Sequence, residues 1–243
     1  MYNRHKGVTA MKERIYTIPV NEAFDPPYDR CPFCRLYEKL EEDEIQIMLG
    51  SAMMDPAIRQ ATNESGFCSR HYNMMFEKQN RLGLALILES HLDTLKKGLK
   101  KGTVFAPDIG NRSVSRIETL EKTCYVCDKI EEKISKMFTT AVYLFDEEKD
   151  FRAKFDKTPY LCLPHYKKFV LTAKRVLDKD SYNTLVTSAN LKITNYLASL
   201  KDDVSWFAKK FDYRFDSEPW GNSKDSVERA IRFLNGDSAL GDK

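Results

Sequence analysis

All six cysteines of this 243-residue chain fall into one repeated pattern, and no other feature restricts its fold as strongly. Cys31 and Cys34 (CPFC) are followed, after 33 intervening residues, by Cys68 and His71 in GFCSRHY. Cys124 and Cys127 (CYVC) are followed, after 34 residues, by Cys162 and His165 in YLCLPHY. Each half reads C-x-x-C, a long spacer, then C-x-x-H, with a tyrosine after the histidine (Tyr72, Tyr166). Only His5 and His91 lie outside the pattern. A repeat of this length marks an internal duplication. Glu38 and Glu131 both sit four residues past the second cysteine, and Phe67 and Leu161 precede the later cysteines; little else matches.

Three thiolates and one imidazole form a closed tetrahedral set, the usual ligand count of structural zinc. Two ligands three positions apart on a first helical turn can address one ion, and a helix N-terminus favours their anionic form. The spacing therefore points to two zinc ions, held by Cys31, Cys34, Cys68 and His71 and by Cys124, Cys127, Cys162 and His165. The matched spacers favour pairing within each half, with pairing across halves as the alternative. Iron–sulfur clusters on the same eight residues form the second reading, since unequal ligands are permitted and tune potential. A thiol–disulfide couple at the C-x-x-C pairs leaves Cys68, Cys162 and both histidines unexplained. Inert buried cysteines leave the repetition unexplained.

Between the motifs the apolar residues recur every three or four positions. Ile130, Ile134, Phe138, Val142 and Phe145 form one such stripe, expected to be buried. Leu84, Leu88, Leu92, Leu95 and Leu99 form another, and Tyr182, Leu185, Ala189, Ile193, Tyr196 and Leu200 a third that continues towards Phe207 and Phe211. Only RIYTIPV near the start reads as extended, with Pro19 set against a helix there. The expectation is an all-α fold of duplicated halves, each stapled by a metal site and packed as one compact unit. The halves are 1–101 and 116–215, joined by 102–115, with a tail and short helix over 216–243. Pro32 and Pro164 suit first helical turns. Asp55-Pro56 opens a short helix, and 147–156 matches it. Asp225 with Glu228 reads as a capping box, and Asn235-Gly236 ends the last helix.

Composition excludes more than it selects. Hydrophobic residues at 42% and charged residues at 31% describe a globular chain. A net charge of +3 is too small to argue by itself for nucleic acid or an anionic membrane. The lysine pairs 96–97, 100–101, 167–168 and 209–210 fit solvated helix faces and ends. No run approaches the roughly 20 apolar residues of a membrane span, and the first residues lack a signal-peptide core. A cytoplasmic protein follows, in which clustered cysteines bind metal more often than they form bridges. His91 reads as a core or boundary residue. The aromatic section Trp206, Phe207, Phe211, Tyr213 and Trp220 reads as core packing, with a ligand pocket or partner surface as the minor alternative. No catalytic constellation is present, so a binding or scaffold module is expected, and not an enzyme.

CPFCRLYEKLEEDEI, GFCSRHY, LCLPHY and the closing FDYRF…EPWGNSKDS resemble an uncharacterised bacterial domain-of-unknown-function family of similar length. The resemblance spans nearly the whole chain and implies a cytoplasmic bacterial protein with no assigned reaction. It carries over nothing beyond the eight Cys/His positions.

Overall fold

A computed structural model describes residues 14–100 and 109–237. Among these the chain is all-α, with eleven α-helices and a few 3-10 turns. The helices are α1 (Thr17–Ala23), α2 (Pro32–Leu49), α3 (Pro56–Ser65), α4 (Ser69–Glu77), α5 (Arg81–Lys100) and α6 (Ile109–Lys122). They continue with α7 (Tyr125–Glu147), α8 (Lys149–Lys157), α9 (Leu163–Val176), α10 (Lys179–Lys209) and α11 (Ser226–Asn235). None is long and apolar enough to cross a membrane. The chain divides into two compact units, one of residues 1–37 with 134–243 and one of residues 38–133. The divisions fall inside α2 and α7, so each of these long helices begins in one unit and ends in the other.

The unit of 1–37 with 134–243 is built on phenylalanine. Phe24, Phe33, Phe138, Phe151, Phe155 and Phe169 are each at most 1% exposed. Phe33 stacks on Phe138 with ring centroids 3.9 Å apart and meets Phe24 edge-on at 5.6 Å. The expected α7 stripe is buried throughout its length, Ile130 in the unit of 38–133 and Ile134, Phe138, Val142 and Phe145 in this one. Leu185, Ala189, Ile193 and Leu200 of α10 are buried as expected. Near the chain's end Tyr160, Tyr196 and Phe233 pack together, the two tyrosines stacked at 4.2 Å.

In the unit of 38–133, α3 opens on Asp55, whose carboxylate accepts from Ala57 N–H at 2.8 Å and Ile58 N–H at 3.3 Å. Pro56 follows at the position where its missing N–H costs nothing. Gly66 ends this helix at φ +65°. A Cβ there would lie 3.2 Å from Leu120 and 3.4 Å from His91, so the turn needs both the positive φ and the missing side chain. His91 is buried and donates from Nδ1 to the Asn63 carbonyl at 3.2 Å, a core role as expected. Burial holds its pKa below the usual imidazole value.

Several local expectations fail for identifiable reasons. RIYTIPV is helical, not extended: Arg14–Tyr16 is a 3-10 turn and Thr17–Ala23 is α1. Pro19 is the third residue of α1, where its N–H would have had no intrahelical partner. α6 takes in 109–115, leaving 102–108 of the expected connection outside the described residues. The leucine stripe of α5 is not a buried face. Leu84, Ile87 and His91 are buried, while Leu92 is 60% and Leu99 39% exposed. Asp225 makes no capping bond, because its carboxylate pairs with Arg229 one turn on at 2.9 Å. Phe211 and Tyr213 are 76% and 87% exposed. The centre of that section is instead Lys210, a buried ammonium donating to the carbonyls of Phe215, Asp216 and Glu218 at 2.6–2.9 Å.

Candidate metal centres

Each ligand pair stands at the start of a helix. Cys31 immediately precedes α2 and Cys124 immediately precedes α7, while Cys68 and Cys162 are the N-caps of α4 and α9. Their carbonyls receive the first intrahelical bonds, from Arg35, Asp128, Tyr72 and Tyr166 at 2.8–3.3 Å. The second member of each pair, three residues on, then points back to the same side of the first turn. The positive ends of two helix dipoles face each sulfur set.

The third residue of each C-x-x-C anchors its motif. Phe33 is 0% exposed inside the phenylalanine core, and Val126 in the corresponding place of CYVC is also 0% exposed. Burying this side chain turns the flanking cysteines the other way, towards their partners.

All eight predicted side chains assemble into two quartets, but not by halves. One quartet is Cys31, Cys34, Cys162 and His165, and the other is Cys68, His71, Cys124 and Cys127. Pairing within each half is therefore corrected to pairing across the repeat. Each quartet falls within a single compact unit, the first in 1–37 with 134–243 and the second in 38–133. The physical reason is local. Phe33 packs against Phe138 and Phe169, and His165 of α9 lies 6.0 Å from the Phe33 ring. In the other unit the Tyr125 N–H, at the start of α7, donates to the Gly66 carbonyl at 3.0 Å, two residues before Cys68. That bond sets the two ligand turns side by side.

In each quartet the four donor atoms lie within 4.8 Å of one another. Cys34 and Cys162 sulfurs are 3.6 Å apart, and His165 Nδ1 lies 3.7, 3.4 and 3.1 Å from Cys31, Cys34 and Cys162. Cys68 and Cys127 sulfurs are 3.9 Å apart, with His71 Nδ1 at 3.2, 3.2 and 3.5 Å from Cys68, Cys124 and Cys127. An ideal tetrahedral zinc centre, with bonds of about 2.3 Å to sulfur and 2.0–2.1 Å to nitrogen, sets these separations near 3.8 and 3.5 Å. All six cysteines are free thiols. Both groups could hold a metal ion, and both histidines would bind through Nδ1.

The surroundings of the two groups differ. In the first, Cys31, Cys34 and Cys162 are buried and His165 is half-buried between Phe33 and Phe138. Gly236, at φ +87°, brings the backbone past the sulfurs: a Cβ there would lie 3.7 Å from Cys34 and 3.8 Å from Cys162. Burial, and then the neighbouring Cys162, push the Cys31 thiol far above its ordinary range. Contact with Cys162 draws the Cys34 thiol down, but Cys31 and burial win and leave it raised; the Asp237 N–H also donates to it.

In the second group His71 is buried, while Cys68 and Cys127 are half-buried. His71 Nε2 faces Glu41 Oε1 at 3.0 Å, and Arg70 grips the same carboxylate through Nε at 2.7 Å and Nη2 at 2.8 Å. Burial would raise Glu41, but Arg70 and then His71 hold it down at about 2. Burial would lower His71, but Cys124 and then Glu41 raise it to about 10. Burial likewise opposes ionisation of Cys124, yet His71 draws it down to about 6. Three sulfurs at these distances can all ionise only if a cation shares their charge, so metal uptake here releases protons.

Glu41 and Arg70 escape a reading of the sequence. Glu41 stands in EKLEEDE, where every acid looks like part of a solvated face; Glu44 of the same run is buried as well, and it is contact with His71 and Arg70 that distinguishes Glu41.

A family model described as "Family of unknown function (DUF6062)" matches residues 11–240, and the chain belongs to that family. No curated protein and no solved structure matches it.

Proposed function

We propose that this member of a family without an assigned role is a structural zinc protein, a helical binding or scaffold module holding two Zn²⁺ ions. Cys31, Cys34, Cys162 and His165 would ligate one ion, and Cys68, His71, Cys124 and Cys127 the other. The observation that carries the reading is the donor spread: four atoms within 4.8 Å suit a single shared centre. A multi-iron cluster instead distributes its protein ligands over separate irons, which spreads them across the cluster's width. With three thiolates and one imidazole filling a tetrahedral ion, neither centre offers water a coordination position, the arrangement of structural sites.

Structural zinc contributes about 10–16 kcal/mol in small peptides at neutral pH. That is comparable with the whole margin of about 5–15 kcal/mol that keeps a domain folded. Each ion ties two helix starts that are far apart in the chain, so its loss loosens the unit it holds.

The test is elemental analysis and spectroscopy of protein purified without oxygen. The expected result is two zinc ions per chain in a colourless protein, with thermal stability falling as a chelator strips them. Iron with acid-labile sulfide and a brown absorbance near 400 nm would move the assignment to the iron–sulfur alternative on the same residues.

A further inference from the structure

Helix α5 carries two apolar stripes, and its own unit uses one. Leu84, Ile87 and His91 face the core and are 7%, 3% and 6% exposed. The second stripe is Ala85, Leu88, Leu92, Leu95 and Leu99, which step by 3, 4, 3 and 4 residues. Ala85, Leu92 and Leu99 are exposed, and Leu88 and Leu95 are half-buried. Alternating steps of three and four set these five side chains on one face, the arrangement of the a and d positions of a coiled-coil seam. Such a seam, left open on a 20-residue helix, fits another helix of the same pattern.

We infer that this stripe is a dimer seam, on which α5 of a second copy of the chain packs antiparallel. The charges flanking the stripe identify the occupant. With Ala85, Leu92 and Leu99 at a, the e positions hold Glu89 and Lys96, both exposed. The g positions hold His91, which is buried, and Gly98, where an added Cβ would meet nothing within 4 Å. In an antiparallel pair e faces e, so a two-fold axis between Leu92 and Leu95 places Glu89 against Lys96 of the second copy, and the symmetry repeats the pair. A parallel pair sets e against g, and so leaves both charges without an opposite. The stripe is thus complementary to itself in one orientation, the signature of an isologous two-fold contact.

The seam covers 15 residues, about 21 Å of helix. Pairing two such faces buries on the order of 1,000 Å² in total, the size of weak, transient interfaces, so association is sought over roughly 1–100 μM.

Sedimentation velocity on the full, metal-loaded chain across that range tests the inference. Wild type should pass from monomer to dimer with rising concentration. Leu92→Asp, at a site already 60% exposed, should keep its helicity and metal content while weakening association by more than about tenfold. Glu89→Lys should weaken it as well, and the double swap Glu89→Lys with Lys96→Glu should restore it, which a simple folding defect would not do. A wild type that stays monomeric, a dimer indifferent to Leu92→Asp, or a swap that fails to rescue would each overturn the inference. Metal content is read separately in the same samples, so the zinc assignment stands or falls independently.

Discussion

Replacing Glu41 with glutamine isolates what the carboxylate behind His71 contributes. The amide side chain keeps the size and one acceptor oxygen, but it loses the charge and turns an NH2 group towards the Arg70 guanidinium. In the wild type the carboxylate accepts from His71 at 3.0 Å and twice from Arg70 at 2.7 and 2.8 Å, and it is 2% exposed. Bonds to a charged group contribute about 1.5–3 kcal/mol each, against about 1 kcal/mol for neutral ones. Losing a partner behind a metal-binding histidine typically costs 10–100-fold in metal affinity, or about 1.4–2.8 kcal/mol at tenfold per 1.4 kcal/mol. The other quartet supplies a control. The C-x-x-C motifs repeat at an offset of 93 residues, which places Ile134, 0% exposed, where Glu41 stands in the first copy. That group has no carboxylate to lose at this position. In a competitive titration of Glu41→Gln with a chromophoric chelator, one of the two zinc steps should weaken 10–100-fold and the other should stay in place. Two steps that shift together, or neither shifting, would refute the idea that Glu41 orients and polarises His71.

Two further outcomes follow from the geometry. Gly66→Ala forces a side chain into φ +65° with a 3.2 Å contact to Leu120, and should cost about 1–3 kcal/mol of stability in urea unfolding while weakening zinc at the adjacent Cys68 group. Asp178→Ala removes the cap of α10, whose carboxylate accepts from Ser181 and Asp180 N–H at 3.0 Å each. The Ser181 bond, then the Asp180 bond, hold that carboxyl below its usual range, so its contribution is complete above the unfolded carboxylate value of about 3.9 and is lost as pH falls through the folded one. The thermal gap between wild type and Asp178→Ala should therefore be widest near neutrality and close in acid.

The eight sulfur and imidazole donors are legible as a set because residue type and spacing both repeat, and the helices between them because their apolar period does. The partition of the donors is not legible. Two copies with spacers of 33 and 34 residues offer the same chemistry to either arrangement. What decides is tertiary: Phe33 seated against Phe138 and Phe169, and the Tyr125 N–H bonded to Gly66 O. Glu41 is hidden by its acidic neighbours, since contact with His71 and Arg70, not identity, gives it a role. In α5 Leu84 and Ile87 turn inward, while Leu92 and Leu99 lie about 60–80° round the helix from Leu84 and stay exposed, and apolar spacing alone does not say which of two neighbouring lines faces the core.

The exchange of ligands between the repeats also bears on synthesis. A ribosome releases Cys31 and Cys34 early, and their true partners, Cys162 and His165, come 128–134 positions later. In the interval Cys68 and His71 emerge, and a nascent chain then displays four donors that could seize one ion in the wrong combination. Proper closure for Cys68 and His71 arrives sooner, at separations of 53–59. Closing the longer loop costs only about 0.8 kcal/mol more. The hazard in translation is therefore a matter of timing more than of entropy, and escape from it depends on how readily an early, misplaced ion can be surrendered.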